Sequence, residues 1–189
     1  MEEEYTVKDL MVNLSDYATV SENASILDAV IELEKSQKRF DDERYRHRAI
    51  LVLDNNGNVV GKLSQLDVLK ALEPRYQDPD KHVGMSKYGF SDNFIDLSLN
   101  EFSLWDAPLE HICQKVTGHQ VKEFMHPPVK TECVTEDTSL GVAIHLLIMG
   151  NHQSLLVTRN DTITGILRLT DVFSGVFQII KECVHSRRH

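Results

Sequence analysis

With 189 residues, 41% of them hydrophobic, the chain can bury one substantial core or two small units that share one. Its net charge of −9 excludes a polyanion such as DNA or RNA as the main partner, while leaving room for a local basic cluster that holds a single phosphate group. Cys113, Cys133 and Cys183 stand far apart and form no CxxC, which excludes a disulfide framework and a zinc knuckle.

The start, Met1-Glu2-Glu3-Glu4, is acidic where a secretory signal is basic and then apolar. The longest apolar stretch, Leu140 to Met149, falls well short of the roughly 20 residues of a membrane span. No membrane partner is expected, and a cytoplasmic location follows by elimination. After a short leader around Val7 to Met11, Ile26, Ala29, Val30 and Leu33 fall on one face of a helix, and Ser25 with Asp28 forms a capping box at its start. The charged stretch from Glu34 reads as a longer helix end and a solvated loop, whose last residues, Arg46-His47-Arg48, run into the apolar run Ala49 to Leu53. That run is short and rich in branched residues, so it predicts a buried strand. Asp54-Asn55-Asn56-Gly57-Asn58 then turns the chain into a hairpin. A closing helix carries Val68, Leu69 and Leu72. The connecting segment opens on Pro74 and Pro79. A helix is predicted to begin near Asp106, from the spacing of Leu109, Ile112, Cys113 and Val116 after Pro108. Phe90, Phe94, Phe102 and Trp105 make this segment an expected cover for a core edge or part of a subunit contact.

The series then repeats. Val7-Lys8-Asp9-Leu10-Met11 returns as Val121-Lys122-Glu123-Phe124-Met125, and Val20 to Ile26 returns as Val134 to Leu140, both shifted by 114. Leu140, Ala143, Ile144 and Leu147 reproduce the helical spacing. From the buried strand onward the matching uses a shift of 104, pairing Arg48 with His152 and Gly61 with Gly165, so that repeat one holds ten extra residues before Arg48. Arg159-Asn160-Asp161 supplies the second hairpin turn, and Val172, Phe173, Val176, Ile179 and Ile180 the second closing helix. The fold class is α/β. Two units of strand-helix-strand-strand-helix occupy residues 1–73 and 121–185, joined by residues 74–120. A duplicated unit packs on its twin and buries a face that neither buries alone.

Gly61-Lys62-Leu63-Ser64-Gln65-Leu66-Asp67, following a hairpin and opening a helix, resembles the motif of the cystathionine β-synthase (CBS) domain. Gly165-Ile166-Leu167-Arg168-Leu169-Thr170-Asp171 matches it a second time, except that Arg168 replaces the hydroxyl residue. Two such domains in tandem resemble a Bateman module, a pseudo-twofold pair whose clefts bind adenosyl ligands in many members. The resemblance implies that Asp67 and Asp171 accept hydrogen bonds from ribose hydroxyls and that Ser64 helps hold ribose or phosphate. It also implies that Arg48 and His152 are basic residues entering the clefts, with Thr19 and Cys133 lining them. A carboxylate is an acceptor pair suited to a cis-diol, and a helix N-terminus favours phosphate. Ser64 and Asp67 read equally as a capping box that satisfies backbone donors without a ligand, and the two roles are compatible. Arg168 either fills its cleft as a permanent cation or forks onto a phosphate.

The chain has no GxxxxGK[ST] loop, GxSxG elbow or HExxH helix, and its scattered histidines specify no metal site. The expected function is a non-catalytic sensor of an adenine nucleotide (AMP, ADP or ATP) or of S-adenosylmethionine, with no catalytic cofactor. The rival is a ligand-free protein–protein interaction module on the same scaffold. A homodimer and an unknown regulated protein are the expected partners.

Overall fold

The computed structural model describes residues 5–39, 48–72 and 116–186. The start of the predicted helix near Asp106, the aromatic residues of the connecting segment, and Arg46 and His47 lie outside the described residues; Val116, the last residue of that helical spacing, is helical and packs against the first core. The leader helix α1 (Val7–Leu10) runs into β1 (Val12–Asn13), followed by β2 (Thr19–Ser21), α2 (Ile26–Arg39), β3 (Ala49–Leu53), β4 (Val59–Ser64) and α3 (Gln65–Leu72). The second repeat supplies β5 (Cys133–Thr135), α4 (Leu140–Met149), β6 (Ser154–Arg159), β7 (Thr162–Arg168) and α5 (Leu169–Ser186).

The α/β class and the duplicated units are as the sequence implies. Helix α2 begins at the expected capping box: Ser25 N–H donates to Asp28 Oδ2 at 3.0 Å, and Asp28 N–H donates to Ser25 Oγ at 3.1 Å. Ile26, Ala29 and Leu33 are buried, whereas Val30 sits at the margin of the apolar face and is exposed. In α4, Leu140, Ala143 and Leu147 are buried, with Ile144 partly so.

β3 and β4 form the first hairpin and pair with β2 in a three-stranded sheet; β6 and β7 form the second and pair with β5. The register corrects one part of the sequence matching. Ala49 lies opposite Ser64 and Val52 opposite Gly61, while Ser154 lies opposite Arg168 and Val157 opposite Gly165. Ala49 therefore corresponds to Ser154, and Arg48 to Gln153 rather than to His152. The physical reason is the turn. Asn160 and Asp161 both take positive φ (50° and 60°), the conformation of a two-residue hairpin, whereas the first turn is one residue longer. There Asp54 Oδ1 accepts from the N–H groups of Asn56 and Asn58 at 2.8 Å each, and Gly57 takes φ 82°. Matching the glycines beyond the turn leaves the strands before it out of step by one.

The leaders are exchanged. Val7 N–H donates to Thr138 O, Lys8 N–H to Glu136 O, and Leu140 N–H to Tyr5 O. The symmetric set is Val121 N–H to Ala24 O, Lys122 N–H to Glu22 O, and Ile26 N–H to His119 O. Val7 joins the core of Val134, Leu140, Leu155 and Leu167, while Val121 joins that of Ile26, Ile50, Val52 and Leu63. β1 adds to the edge of β7, making the second sheet four-stranded. Gly165 permits this, because a Cβ there would collide with the Val12 carbonyl oxygen. A third core fills the seam between the repeats, from Val12, Tyr17, Leu51, Leu156 and Ile166.

Candidate functional site

Alternation along β4 points Gly61 and Leu63 into the first core and leaves Lys62 and Ser64 on the face toward the seam. Asp67 lies in the first turn of α3 and is buried. Its Oδ2 accepts from Ser64 N–H at 2.9 Å and from Ser64 Oγ at 2.5 Å, and Asp67 N–H returns a 3.2 Å bond to Ser64 Oγ. The capping reading of these residues is thus realised. Oδ1 has His126 Nε2 at 2.9 Å and Lys70 Nζ at 3.7 Å. Burial alone would raise the Asp67 carboxyl; the hydrogen bonds from the Ser64 side chain and backbone and from His126 outweigh it, holding the group below its ordinary value.

His126 arrives on the exchanged leader. Its backbone pairs with Lys62 through reciprocal N–H to O bonds of 2.9 Å, while its ring remains 62% exposed. Behind Lys62 stands Glu132, which ends the 3₁₀ turn Lys130–Glu132 before β5. Lys62 Nζ lies 3.3 Å from Glu132 Oε2, and His152 Nδ1 lies 3.5 Å from Glu132 Oε1. Cys133 follows Glu132; burial and then the Glu132 charge push its thiol up, against Lys62. Lys62, two residues before Ser64 on β4, is thus joined through Glu132 to His152 of the other repeat.

In the second cleft Arg168 folds onto Asp171. Its Nε donates to Asp171 Oδ2 at 2.6 Å and its Nη2 to Oδ1 at 2.5 Å, a forked pair with both side chains largely withdrawn from water. Tyr17 is buried close by, and burial raises its phenol against the pull of Arg168. A groove of about 470 Å³ beside the fork runs between the first leader and α5, lined by Asp9, Leu10, Met11, Gly175 and Lys181. Thr19 pairs with Leu51 at the start of β2 and is half-buried; Arg48 is exposed, its carbonyl accepting from Gln65 N–H.

Sequence reasoning missed His126, Lys62 and Glu132. A signal for His126 existed: the shift of 114 that matches Met11 with Met125 sets it opposite Val12. Among the described residues no cluster of His, Cys, Asp or Glu could hold a metal ion, and no helix is long and apolar enough to cross a membrane.

The family model of the CBS domain matches residues 7–74 and 121–177, and the chain belongs to this family as a tandem pair. Among solved structures it is similar to the CBS-pair protein CBSX2 from Arabidopsis thaliana, at 22% identity and a TM-score of 0.61, over 94% of this chain and 98% of that one. CBSX2 in complex with AMP gives 23% identity and a TM-score of 0.58, over 93% and 98%. The CBS domain of a CBS domain-containing membrane protein from Sphaerobacter thermophilus gives 17% identity and a TM-score of 0.59, over 90% and 87%. At these identities the likeness is one of fold. No curated protein matches the chain in sequence.

Proposed function

We propose that the chain is a non-catalytic regulatory module that binds an adenine nucleotide in the cleft of Ser64 and Asp67. The observation that carries this reading is Asp67 Oδ1, a buried carboxylate oxygen whose near partner, His126, is mostly in water and is held by a single side-chain bond. A ribose hydroxyl can take that acceptor once the imidazole swings out, while Ser64 keeps Oδ2 and the helix cap. Lys62 supplies a cation and His152 a hydrogen-bonding ring nitrogen, both against Glu132. The AMP complex of CBSX2 supports an adenine nucleotide as the ligand class. In the second cleft the carboxylate of Asp171 is already taken by Arg168, so one ligand binds per chain.

The Arg168–Asp171 fork also favours a second reading, in which neither cleft binds and the fold is a protein–protein interaction scaffold. Thermal unfolding with AMP, ADP, ATP and S-adenosylmethionine separates the two. A ligand at a hundred times its Kd stabilises the native state by about 2.7 kcal/mol. Asp67→Asn should abolish that gain; no shift with any of the four ligands leaves the scaffold reading. The module acts on a regulated protein as a homodimer in the cytoplasm. Phe173 and Ile180, 64% and 54% exposed on α5, support the dimer. Light scattering that gives a monomer mass well above micromolar concentration refutes it.

A further inference from the structure

The cluster of Lys62, Glu132 and His152 is costly for a structural tie. The three side chains are only 17%, 21% and 16% exposed. Withdrawing ions from water costs more than an exposed ion pair returns, and apolar side chains of similar volume usually serve stability as well or better. At the pseudo-twofold copies of two of these positions apolar side chains stand buried: Ala18, in the first core, for Glu132, and Ile166, in the seam core, for Lys62. Glu132 is also a loose partner, at 3.3 Å from Lys62 Nζ and 3.5 Å from His152 Nδ1 on separate oxygens, longer than a charge-assisted hydrogen bond usually is. The cluster lies two residues along β4 from Ser64, roughly 7 Å, within the length of one nucleoside monophosphate whose ribose rests on Asp67.

Resting on the proposed nucleotide site, we infer that Glu132 is an internal counter-ion that occupies the phosphate end of the first cleft and that a ligand's phosphate must displace. A phosphate brings more oxygens and more charge to Lys62 and His152 than the carboxylate does, so it wins the exchange. An uncharged nucleoside leaves Glu132 in place and gains nothing from Lys62 and His152. Glu132 thus sets the preference of the site for nucleoside phosphates over nucleosides.

Calorimetry of the full chain with AMP and with adenosine tests this. The parent should bind AMP more tightly than adenosine. Glu132→Gln should strengthen AMP binding roughly tenfold and leave adenosine unchanged, and Lys62→Met should bring AMP down to the affinity of adenosine. Should Glu132→Gln not fold, His152→Gln serves: AMP weakens while adenosine does not. A ratio of AMP to adenosine affinity that is the same in parent and variant overturns the inference and leaves the nucleotide site standing. Equal loss of both ligands also overturns it, since the cluster is then only a tie between the repeats. Binding of neither ligand by parent or variant removes the inference and the proposed site together.

Discussion

In the first cleft, the carboxylate of Asp67 receives a histidine that the other repeat's leader delivers and that water largely surrounds. In the second, Asp171 is gripped by two bonds from Arg168, three residues back on its own chain and buried with it. Both carboxylates begin from the same place in the repeat, a closing helix that opens just after a hairpin strand. The exchanged residue differs: His126 stands where the twofold copy has Val12, an apolar residue in the seam core. Val12 brings no hydrogen-bonding group, and the arginine at the strand end does that work. The comparison teaches that a duplicated site diverges through what each copy delivers to the other, as much as through its own motif.

Arg168→Ser should have the largest effect, because it strands the largely buried carboxylate of Asp171. A loss of about 3 kcal/mol is expected in urea unfolding, together with a second equivalent of nucleotide bound per chain. Unchanged stability and unchanged stoichiometry would make the fork incidental and the clefts more alike than their geometry suggests.

Ser64→Ala tests the first cleft through pH. The folded protein holds the Asp67 carboxyl below its ordinary value of 3.8, so it favours the charged form. That stability is full above about pH 3.8 and is lost as pH falls through the lowered value in the folded state. The variant removes the first-named of the bonds that lower it. It should cost about 1 kcal/mol at pH 7, as a lost helix cap does, with the gap to the parent closing below pH 4. A gap that is constant from pH 7 to pH 3 breaks the link between cap and carboxylate.

His126→Val makes the first leader's residue out of the second's. The bond is exposed on one side, so less than about 1 kcal/mol of stability should be lost. A larger loss would mean that this histidine, like Arg168, is a structural clasp and no easily opened gate.

Much of the fold could be read from residues alone, because apolar spacing and turn chemistry are local. The Ser25–Asp28 cap, the hairpin turns and the buried faces of α2 and α4 all follow from signals a few residues long. The register of β3 against β6 could not be read that way: a five-residue and a shorter turn both suit a hairpin, and only the paired backbones show which strand residues correspond. The motif positions Ser64, Asp67, Arg168 and Asp171 were legible for the same local reason. Their partners were harder. Ser64 and Arg168 are three residues from the aspartates they bind, whereas His126 is brought to Asp67 across 59 residues and Lys62 to Glu132 across 70. Nothing in the spacing of a histidine after a methionine, or of a glutamate before a cysteine, says what the opposite repeat will set against it.

The exchanged leaders bear on how the chain is made. The backbone bond from Val7 to Thr138 closes a loop through most of the protein, and the edge partner of β7 is supplied from the far end of the sequence. Contacts of such high sequence separation form late and slow folding, since the entropy of closing the loop is spent before any packing rewards it. A ribosome that has released only the first repeat has released half of two cores, with Val7 lacking its pocket and Ile26, Ile50 and Leu63 lacking Val121. Native assembly therefore waits for the second leader, and a chain cut between the repeats yields two fragments that must find each other before either is whole.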